Sequence, residues 1–353
     1  MPENFHIDMP EAVRNIIHTI EEHGFKAYAV GGCIRDSILG RNPDDWDITT
    51  SAVPSQIKTF FKRTVDTGIA HGTVTIMIDK TGYEVTTYRI DGEYEDGRHP
   101  KSVEFSDRLV DDLCRRDFTI NAMAYNDNRG LVDEFGGIKD LKDGIIRCVG
   151  DAGQRFDEDA LRMLRAVRFA GQLGFAIEEK TREAIVERAD HLKNISAERI
   201  RVELTKLLVS KEAGRIRDAY KTGMTKYFLP ELDAAMQTEQ KNPHHIYTVG
   251  EHSICGIELM NCFFGITSDK KIYDKIPENV LETAKQLAAK MDKKQQTVLC
   301  MTMLLHDIAK PAVMTVDEKG IGHFIGHPVQ SEKMAKKIMR RLTFDNDSIS
   351  KAC

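Results

Sequence analysis

The chain has 353 residues, of which 41% are hydrophobic and 30% charged, and its formal net charge at pH 7 is −5. No stretch approaches the ~18 consecutive apolar residues of a membrane span. The N-terminal segment has no apolar block like that of a signal peptide, and the seven cysteines occur singly. These features disfavour membrane and disulfide-rich secreted classes and predict a cytoplasmic protein. Its length predicts two or three domains.

The first 150 residues are predicted to form a small α/β domain. An amphipathic helix over residues 1–24 precedes a buried strand at 25–30, which ends at Gly31 and Gly32. A short helix (CIRDSILG), a strand (DWDITT) and a helix near VPSQIKTFF follow. GTVTIMI and YEVTTYR then flank the turn DKTG and alternate with period two, as in a hairpin. Together these segments predict a short mixed sheet with helices.

Helical periodicity dominates the rest of the chain. It runs from Arg155 to Leu229, with a break at GQLGF and a capping-box signal at SAER. Pro230 and Pro243 bracket a polar connection to a second helical region. We therefore predict an α+β protein with divisions at 1–150, 151–240 and 241–353.

Asp45 and Asp47 stand at i and i+2 of the predicted strand DWDITT. Both should face one side of the sheet, with Trp46 directed into a core on the other side. Carboxylates ~6–7 Å apart along a strand can share divalent metal ions, and their oxygen donors suit Mg²⁺. The pair therefore predicts a metal site.

The preceding glycine pair suits a phosphate ligand. Gly31 and Gly32 remove side chains where a triphosphate would approach the backbone and the start of the next helix. Arg35 could add a charge-assisted contact to the phosphates. A DxD motif or a Gly-Gly turn alone is common, but the order strand, Gly-Gly, helix and DxD strand is rare and favours a functional site.

The segment VGGCIRDSILGR…DDWDITT resembles the signature of the class II tRNA nucleotidyltransferase and poly(A) polymerase family. The resemblance continues through GIAHGTVTI, DGEYEDGRHPKSVEF, RRDFTINAMAY, RFDEDALRMLRAVRFAGQLGF and ISAERIRVEL, roughly residues 10–235. It implies a nucleotidyltransferase palm over 1–150, a helical neck and body for base and RNA binding over 151–240, and a helical domain over 241–353.

The resemblance also implies an activity. It is template-independent, Mg²⁺-dependent addition of C, C and A from CTP and ATP to the 3′ acceptor end of tRNA, with release of pyrophosphate. Asp45 and Asp47 would be the catalytic, metal-binding carboxylates. Glu84 would be either a third carboxylate or a solvated strand residue.

The motif CRRDFTINAMAY is predicted to begin a helix at about Asp117, with Asn121 one turn later and Arg116 nearby. In the family this motif contacts the sugar of the incoming nucleotide, which favours NTP over dNTP. A helix cap with Asn121 in a polar contact is the alternative.

Asp159 and Arg162 are three apart on a predicted helix. Together they can pair with the amino group and ring nitrogen shared by cytosine and adenine, whereas uracil and guanine would leave them unpaired. A surface salt bridge is the commoner meaning of such a pair, and the family motif favours base selection. Arg165 and Arg168 complete the predicted nucleotide-binding set, and Arg199 and Arg201 could line a groove for the acceptor end. The segment RIDGEYEDGRHPKSVEF resembles the flexible loop that these enzymes need for the final A.

The last third resembles the HD phosphohydrolase superfamily. His252 precedes the adjacent pair His306 and Asp307, and His323 and His327 follow. In that superfamily imidazole and carboxylate ligands hold a divalent metal over a phosphate ester. Its last metal-binding aspartate normally lies on a later helix. We therefore expect this domain either to continue beyond Cys353 or to keep the fold without hydrolytic activity.

The sequence leaves three other functions to be considered. A poly(A) polymerase shares nearly all of these motifs but would add A only. An HD-type RNA-end phosphohydrolase would use the palm only to bind nucleotide. A non-enzymatic RNA-binding scaffold is disfavoured, because the carboxylate pair Asp45 and Asp47 is energetically costly without metal chemistry.

Overall fold

The computed structural model describes residues 6–92, 103–241, 246–267 and 276–353. It forms two compact units. The first comprises the described residues up to Asp159 together with Glu178–Thr181, and the second comprises Ala160–Ile177 and the described residues from Arg182 onward. The three-part division at 150 and 240 remains a prediction.

The first unit is mixed. Its strands are β1 (Ala27–Val30), β2 (Asp47–Thr50), β3 (Thr64–Gly68), β4 (Thr73–Ile78), β5 (Thr81–Thr87), β6 (Arg89–Asp91), β7 (Val103–Phe105), β8 (Met123–Asn126), β9 (Gly130–Asp133) and β10 (Ile145–Ile146). Its helices are α1 (Glu11–Glu22), α2 (Gly32–Ile38), α3 (Pro54–Phe60), α4 (Leu109–Cys114), α5 (Gly137–Asp143) and α6 (Ala152–Glu158), with 3₁₀ turns at Ile69–His71 and Thr119–Asn121.

A seven-stranded sheet runs in the order β3-β4-β5-β2-β1-β8-β9. The pairing of β2 with β5 is parallel, and the other pairings recorded in the sheet are antiparallel. All four residues of β1 are buried, which explains the continuous apolar run at this point of the sequence. The parallel pairing places the start of β2 beside the middle of β5.

Beyond Asp159 the chain is mainly helical. The elements are α7 (Leu161–Leu173), β11 (Ala176–Ile177), α8 (Glu179–Arg188), α9 (Ala197–Leu208), α10 (Ile216–Lys221), α11 (Thr225–Phe228), α12 (Pro230–Gln237), α13 (Val249–Phe263), α14 (Glu278–Ala288), α15 (Lys293–Leu305), α16 (Lys310–Val313), β12 (Thr315–Val316), β13 (Gly322–His323), α17 (His327–Arg341) and α18 (Asn346–Ala352), with 3₁₀ turns at Ala189–Asn194 and Ala213–Arg215.

Two helix pairs organise the second unit. Helix α7 packs against α9, and α13 packs against α15. Their apolar residues recur at helical spacing, with Leu164 and Leu204 fully buried in the first pair and Ile254 and Leu304 in the second. The α+β class is confirmed. Among the described helices, none is both long and apolar enough to cross a membrane.

Candidate active site

The DxD motif lies at the start of β2, with a different local geometry from the one predicted. The strand begins at Asp47, and Asp45 and Trp46 precede it outside any helix or strand. Trp46 is only half-buried, so the prediction that it points into a core is wrong. The reason is that β1 pairs with β2 only as far back as Asp47, opposite Val30.

Glu84 lies beside Asp47 on the neighbouring strand. Ile48 pairs with Val85 in the parallel register of β2 and β5, so the residues immediately before them are Asp47 and Glu84. Side chains at matching positions of parallel neighbours project to the same face, about 5 Å apart. Glu84 therefore belongs beside the DxD motif, as one of its two predicted alternatives requires.

Burial and neighbouring carboxylates raise the pKa values of Asp47 and Glu84. The pKa of Asp47 is raised, chiefly because surrounding protein removes water from its carboxylate, and the charge of Asp45 raises it further while Arg116 opposes the shift. Burial also raises the pKa of Glu84, and the charges of Asp47 and Asp45 add to the effect. A cluster of like charges that resists ionisation is suited to binding a cation.

Arg116 approaches this cluster across Gly31. A Cβ atom on Gly31 would lie 2.8 Å from Arg116 Nη1, and the φ of Gly31 is +86°, a conformation that favours glycine. Asp112 is fully buried. Its Oδ2 accepts from Arg116 Nη2 at 3.2 Å, and its Oδ1 accepts from Arg115. Asp112 therefore holds the arginine in place beside the DxD motif.

The second glycine is under a weaker constraint from the protein. A Cβ on Gly32 would meet only Arg35 Nη2, at an ordinary contact distance of 3.6 Å. Arg35 itself is buried; it forms an ion pair with Asp36 at 2.7 Å and donates to Asn121 Oδ1 at 2.6 Å. The described contacts of Arg35 thus connect α2 to the CRRDFTIN segment.

Asp117 and Asn121 meet as predicted, although the backbone between them is not an α-helix. Helix α4 ends at Cys114, and a 3₁₀ turn spans Thr119–Asn121, so the prediction of a helix starting at Asp117 is wrong. Asn121 Nδ2 nevertheless donates to Asp117 Oδ1 at 3.0 Å, and both residues are buried. A tight turn brings residues four apart together much as a helix does.

Asp159 and Arg162 do not share one helix. Helix α6 ends at Glu158, Asp159 has extended backbone angles (φ −149°, ψ 101°), and α7 begins at Leu161. Aspartate competes with helix formation through its short polar side chain, which fits a break at this point. The prediction of an i, i+3 helical pair is therefore wrong, and base selection by these residues stays a prediction.

Arg165 and Arg168 lie on α7 and face α9. Arg168 is buried, forms an ion pair with Glu203, and donates to Gln172 Oε1 at 2.6 Å. Arg165 Nη1 lies 3.7 Å from Glu203 Oε1. These contacts support packing of α7 on α9, and nucleotide binding by the two arginines stays a prediction.

The two arginines proposed for the acceptor groove lie on α9. Arg201 contacts the backbone oxygen of Thr343 and lies over the ring of Phe344 at 5.7 Å, and Arg199 is half-buried. Most of the predicted flexible loop, residues 93–102, lies outside the described residues.

A second cluster of chemically active side chains forms in the helical unit. Ligand atoms of His252, His306 and Asp307 all lie within 4.8 Å of one another. His327 Nε2 lies 3.3 Å from Asp307 Oδ1, and Lys310 Nζ lies 2.7 Å from Asp307 Oδ2. The three residues predicted for an HD-like site are thus brought together, and His327 joins them. His323 instead pairs with Asp317 at 2.9 Å.

The charges around Asp307 favour its ionised form. Burial alone would raise the pKa of Asp307, but hydrogen bonds from His306 and Lys310 outweigh it and hold the pKa well below its usual range. Burial alone would lower the pKa of His306, and the contact with Asp307 raises it instead. Imidazoles and a carboxylate in this arrangement can hold a divalent metal.

Two residues near the palm site were not anticipated from the sequence. Asp36 pairs with Arg35, and Asp112 pairs with Arg115 and Arg116. The available signal was spacing: Asp36 is adjacent to its arginine, and Asp112 precedes Arg116 by four residues.

Three segments of the chain match known protein families. The chain matches the Poly A polymerase head domain over residues 27–147, the Probable RNA and SrmB- binding site of polymerase A over 174–236, and the HD domain over 277–353. The mixed sheet, helix α2 and the DxD motif thus all lie within the match to the Poly A polymerase head domain.

Curated proteins with similar sequences are CCA-adding enzymes. The CCA-adding enzyme of Lactiplantibacillus plantarum is 55% identical over 199 residues, which are 56% of this chain and 49% of the relative. That of Levilactobacillus brevis is 50% identical over 228 residues, 64% of this chain and 56% of the relative. The chain therefore spans about half the length of these curated relatives.

A solved structure gives wider coverage. The Bacillus stearothermophilus CCA-adding enzyme in complex with CTP is 31% identical, with a TM-score of 0.59, and the match covers 94% of this chain and 82% of that one. The chain belongs to the class II tRNA nucleotidyltransferase and poly(A) polymerase family.

Proposed function

We propose that this protein adds C, C and A from CTP and ATP to the 3′ end of tRNA, with release of pyrophosphate. The observation that carries the proposal is the coupled set Asp45, Asp47 and Glu84 beside the glycine-led helix α2. The chain's similarity to CCA-adding enzymes supports it.

The carboxylate set fits a divalent metal, and we propose Mg²⁺. Besides burial, the charge of Asp45 raises the pKa of Asp47, and the charges of Asp47 and Asp45 raise the pKa of Glu84. A bound cation would relieve that repulsion. Oxygen donors of this kind suit Mg²⁺. Bound there, the metal would activate the RNA 3′-hydroxyl and neutralise charge on the departing pyrophosphate.

Other residues of the chain would hold the nucleotide. Gly32 leaves its backbone open to the triphosphate, and Arg116, held by Asp112, places a positive charge beside Asp47. Asp117 and Asn121 would bind the ribose. On the resemblance of their motif, Asp159 and Arg162 would select cytosine and adenine.

The test is extension of a tRNA that lacks its 3′ CCA, with Mg²⁺ and each labelled NTP supplied singly and together. We expect two C's, then one A, then arrest. Continued tailing with A alone would identify a poly(A) polymerase. No incorporation would refute nucleotidyl transfer by this chain.

A second candidate function rests on the His252, His306 and Asp307 cluster. We propose that it binds a divalent metal and acts on a phosphate ester. Hydrolysis of a nucleoside 2′,3′-cyclic phosphate to the monophosphate, or release of phosphate from a nucleoside monophosphate, would support this function if it is abolished by His306→Ala and retained by Asp47→Asn. Equal loss in both variants would contradict it.

We also propose a cytoplasmic location. No disulfide links the seven cysteines, which all lie in the described residues, and three of them are only partly buried or exposed. This suits a reducing compartment. Fractionation of cells expressing the tagged protein tests this directly.

A further inference from the structure

We propose that Arg35 is a positioning residue that fixes the amide of Asn121 and so sets the preference for ribonucleotides over deoxyribonucleotides. This inference deepens the proposed nucleotidyl transfer and rests on it. It replaces direct phosphate contact as the role of Arg35, and it follows from a chain of buried hydrogen bonds in the first unit.

The chain of bonds links two distant parts of the sequence. Arg35 Nη1 donates to Asn121 Oδ1 at 2.6 Å across 86 residues, and Asn121 Nδ2 donates to Asp117 Oδ1 at 3.0 Å. Exposure of the three residues is 9%, 6% and 8%. The bonds therefore lie where water competes weakly and each group needs its protein partner.

Arg35 and Asp117 together allow the side-chain amide of Asn121 only one orientation. The oxygen and nitrogen ends of an asparagine amide have nearly the same shape, so packing alone does not distinguish them. A guanidinium only donates hydrogen bonds, whereas an ionised carboxylate only accepts them. Arg35 must therefore meet the amide oxygen, and Asp117 must meet the amide nitrogen.

Arg35 and Asp117, the two ends of this series of hydrogen bonds, are each held by a further hydrogen-bond partner. Asp36 accepts two hydrogen bonds from Arg35, at 3.0 Å from Nε and 2.7 Å from Nη2. This paired geometry fixes the plane of the guanidinium. At the other end, the backbone N–H of Phe118 donates to Asp117 Oδ1 at 2.8 Å. Arg35 is thus held before it holds Asn121.

The fixed amide gives the site a directional pattern. Asn121 Nδ2 carries two hydrogens, and Asp117 carries two oxygens, so the pair can offer a donor and an acceptor side by side. A ribose hydroxyl both accepts and donates, and it matches that pattern. A deoxyribose leaves the buried groups unpaired, which is the kind of mismatch that a site rejects strongly.

Loss of Arg35 would leave Asn121 Oδ1 as a buried acceptor without its present donor. An unpaired buried polar group is unfavourable, so the amide would turn toward another donor and its N–H would no longer be aimed at the sugar. The effect on selectivity would therefore pass through Asn121.

The experiment compares incorporation of ATP and dATP by the full chain, with kcat/KM measured for each. Arg35→Met should lower the ATP/dATP preference by about tenfold, as should Asn121→Ala. Because both changes affect the same contact, the double variant should lose little more than either single one. Arg14→Met, which breaks an exposed pair with Asp8 at 2.6 Å, serves as the matched control with unchanged preference.

Two results would overturn the inference. One is an Arg35→Met protein that loses activity equally with ATP and dATP. The other is a double variant in which the two losses of preference simply multiply. Absence of incorporation by the unmodified protein would refute the proposed function instead. In that case, thermal stabilisation by ATP compared with dATP tests Arg35: an unaltered difference in Arg35→Met would overturn its role.

Discussion

The backbone conformation of Gly31 and its contact with Arg116 both disfavour a Cβ atom at this position. Its φ of +86° favours glycine, and a Cβ would meet the guanidinium of Arg116 at 2.8 Å. The same guanidinium opposes the rise in the pKa of Asp47. A methyl group at Gly31 would therefore displace a charge that acts on the DxD motif.

This argument predicts different outcomes for two alanine substitutions. Gly24 also has φ +86°, but nothing lies within 4 Å of its Cβ position. Both Gly24→Ala and Gly31→Ala should lower the free energy of unfolding by about 1–3 kcal/mol through backbone strain. Only Gly31→Ala should also lower kcat/KM for CTP incorporation, by about 100-fold, because Arg116 moves. Equal activities of the two folded variants would contradict this explanation.

A second prediction for a single residue concerns Asp112. Its carboxylate is fully buried and accepts from Arg115 and Arg116. Asp112→Asn should lower the free energy of unfolding by about 3–5 kcal/mol, since two arginines lose a buried countercharge. Asp143→Asn, which breaks an exposed pair with Lys139, should leave stability nearly unchanged. Urea unfolding measures both.

The loss in Asp112→Asn should depend on pH. Burial alone would raise the pKa of Asp112, but Arg115 and Arg116 outweigh it and lower the pKa. A lowered folded-state pKa contributes stability above the unfolded value of about 3.9 and loses it as the pH falls through the folded value. The difference between Asp112→Asn and the unmodified protein should thus be constant near neutral pH and shrink in acid. A difference that grows in acid would contradict the assignment.

Contacts between residues close together in the sequence could be predicted from the sequence. The contact of Asp117 with Asn121 followed from their spacing, even though a 3₁₀ turn replaces the expected helix. The contact of Arg35 with Asn121 could not be predicted, because it spans 86 residues and depends on how α2 packs in three dimensions.

At the scale of elements, the β4–β5 hairpin offers a direct test. Its turn residues Asp79 and Lys80 have φ values of +46° and +70°, so both central positions are left-handed, as in the type I′ turns that suit hairpins. Asn-Gly is the preferred pair there. Replacing Asp79-Lys80 by Asn-Gly should raise the free energy of unfolding by about 0.5–1 kcal/mol. An unchanged or lower thermal midpoint would show that the turn is not strained.

Sequence periodicity located most elements and misplaced their ends. The helix near Pro54–Phe60 appears as predicted. The first strand begins at Ala27 instead of residue 25, and the hairpin turn is Asp79–Lys80 instead of DKTG, because Thr81 already pairs with Ile78. The helix of SAER begins at Ala197, but Ser196 makes no capping hydrogen bond. Helical periodicity also hid the break at Asp159, because apolar spacing continues from α6 into α7 while the backbone between them is extended.

For the whole molecule, the two units carry separate sets of chemically active residues. The carboxylates of the DxD motif lie in the first unit, and the His252, His306 and Asp307 cluster lies in the second. Motif order predicted both sets. The participation of His327 and Lys310 became visible only when helices α13, α16 and α17 were placed around Asp307.

Because the two sets lie in different units, we expect that a substitution in one set abolishes the activity or metal binding of that set alone. Asp47→Asn should reduce nucleotide incorporation by about 1,000-fold or more, because a residue that holds charge at the reacting atoms acts in the transition state. The same variant should bind Mn²⁺ normally at the histidine cluster, whereas His306→Ala should show the reverse pattern. Asp66→Asn, which breaks an exposed pair with Lys58, is the control. Loss of both properties in either variant would show that the two sets are coupled.

Backbone carbonyls orient two of the histidines beside Asp307, His306 and His327. Nδ1 of His306 lies 2.8 Å from the carbonyl oxygen of Met303, and Nδ1 of His327 lies 2.7 Å from that of Phe324. A carbonyl only accepts, so each Nδ1 donates to its carbonyl and each Nε2 faces Asp307. An unprotonated Nε2 and an anion 3.3 Å apart repel each other, so a proton, as in the hydrogen bond from His306, or a metal ion has to lie between them. Protons and metal ions therefore compete for the same position, and metal bound there should be released as the solution is acidified.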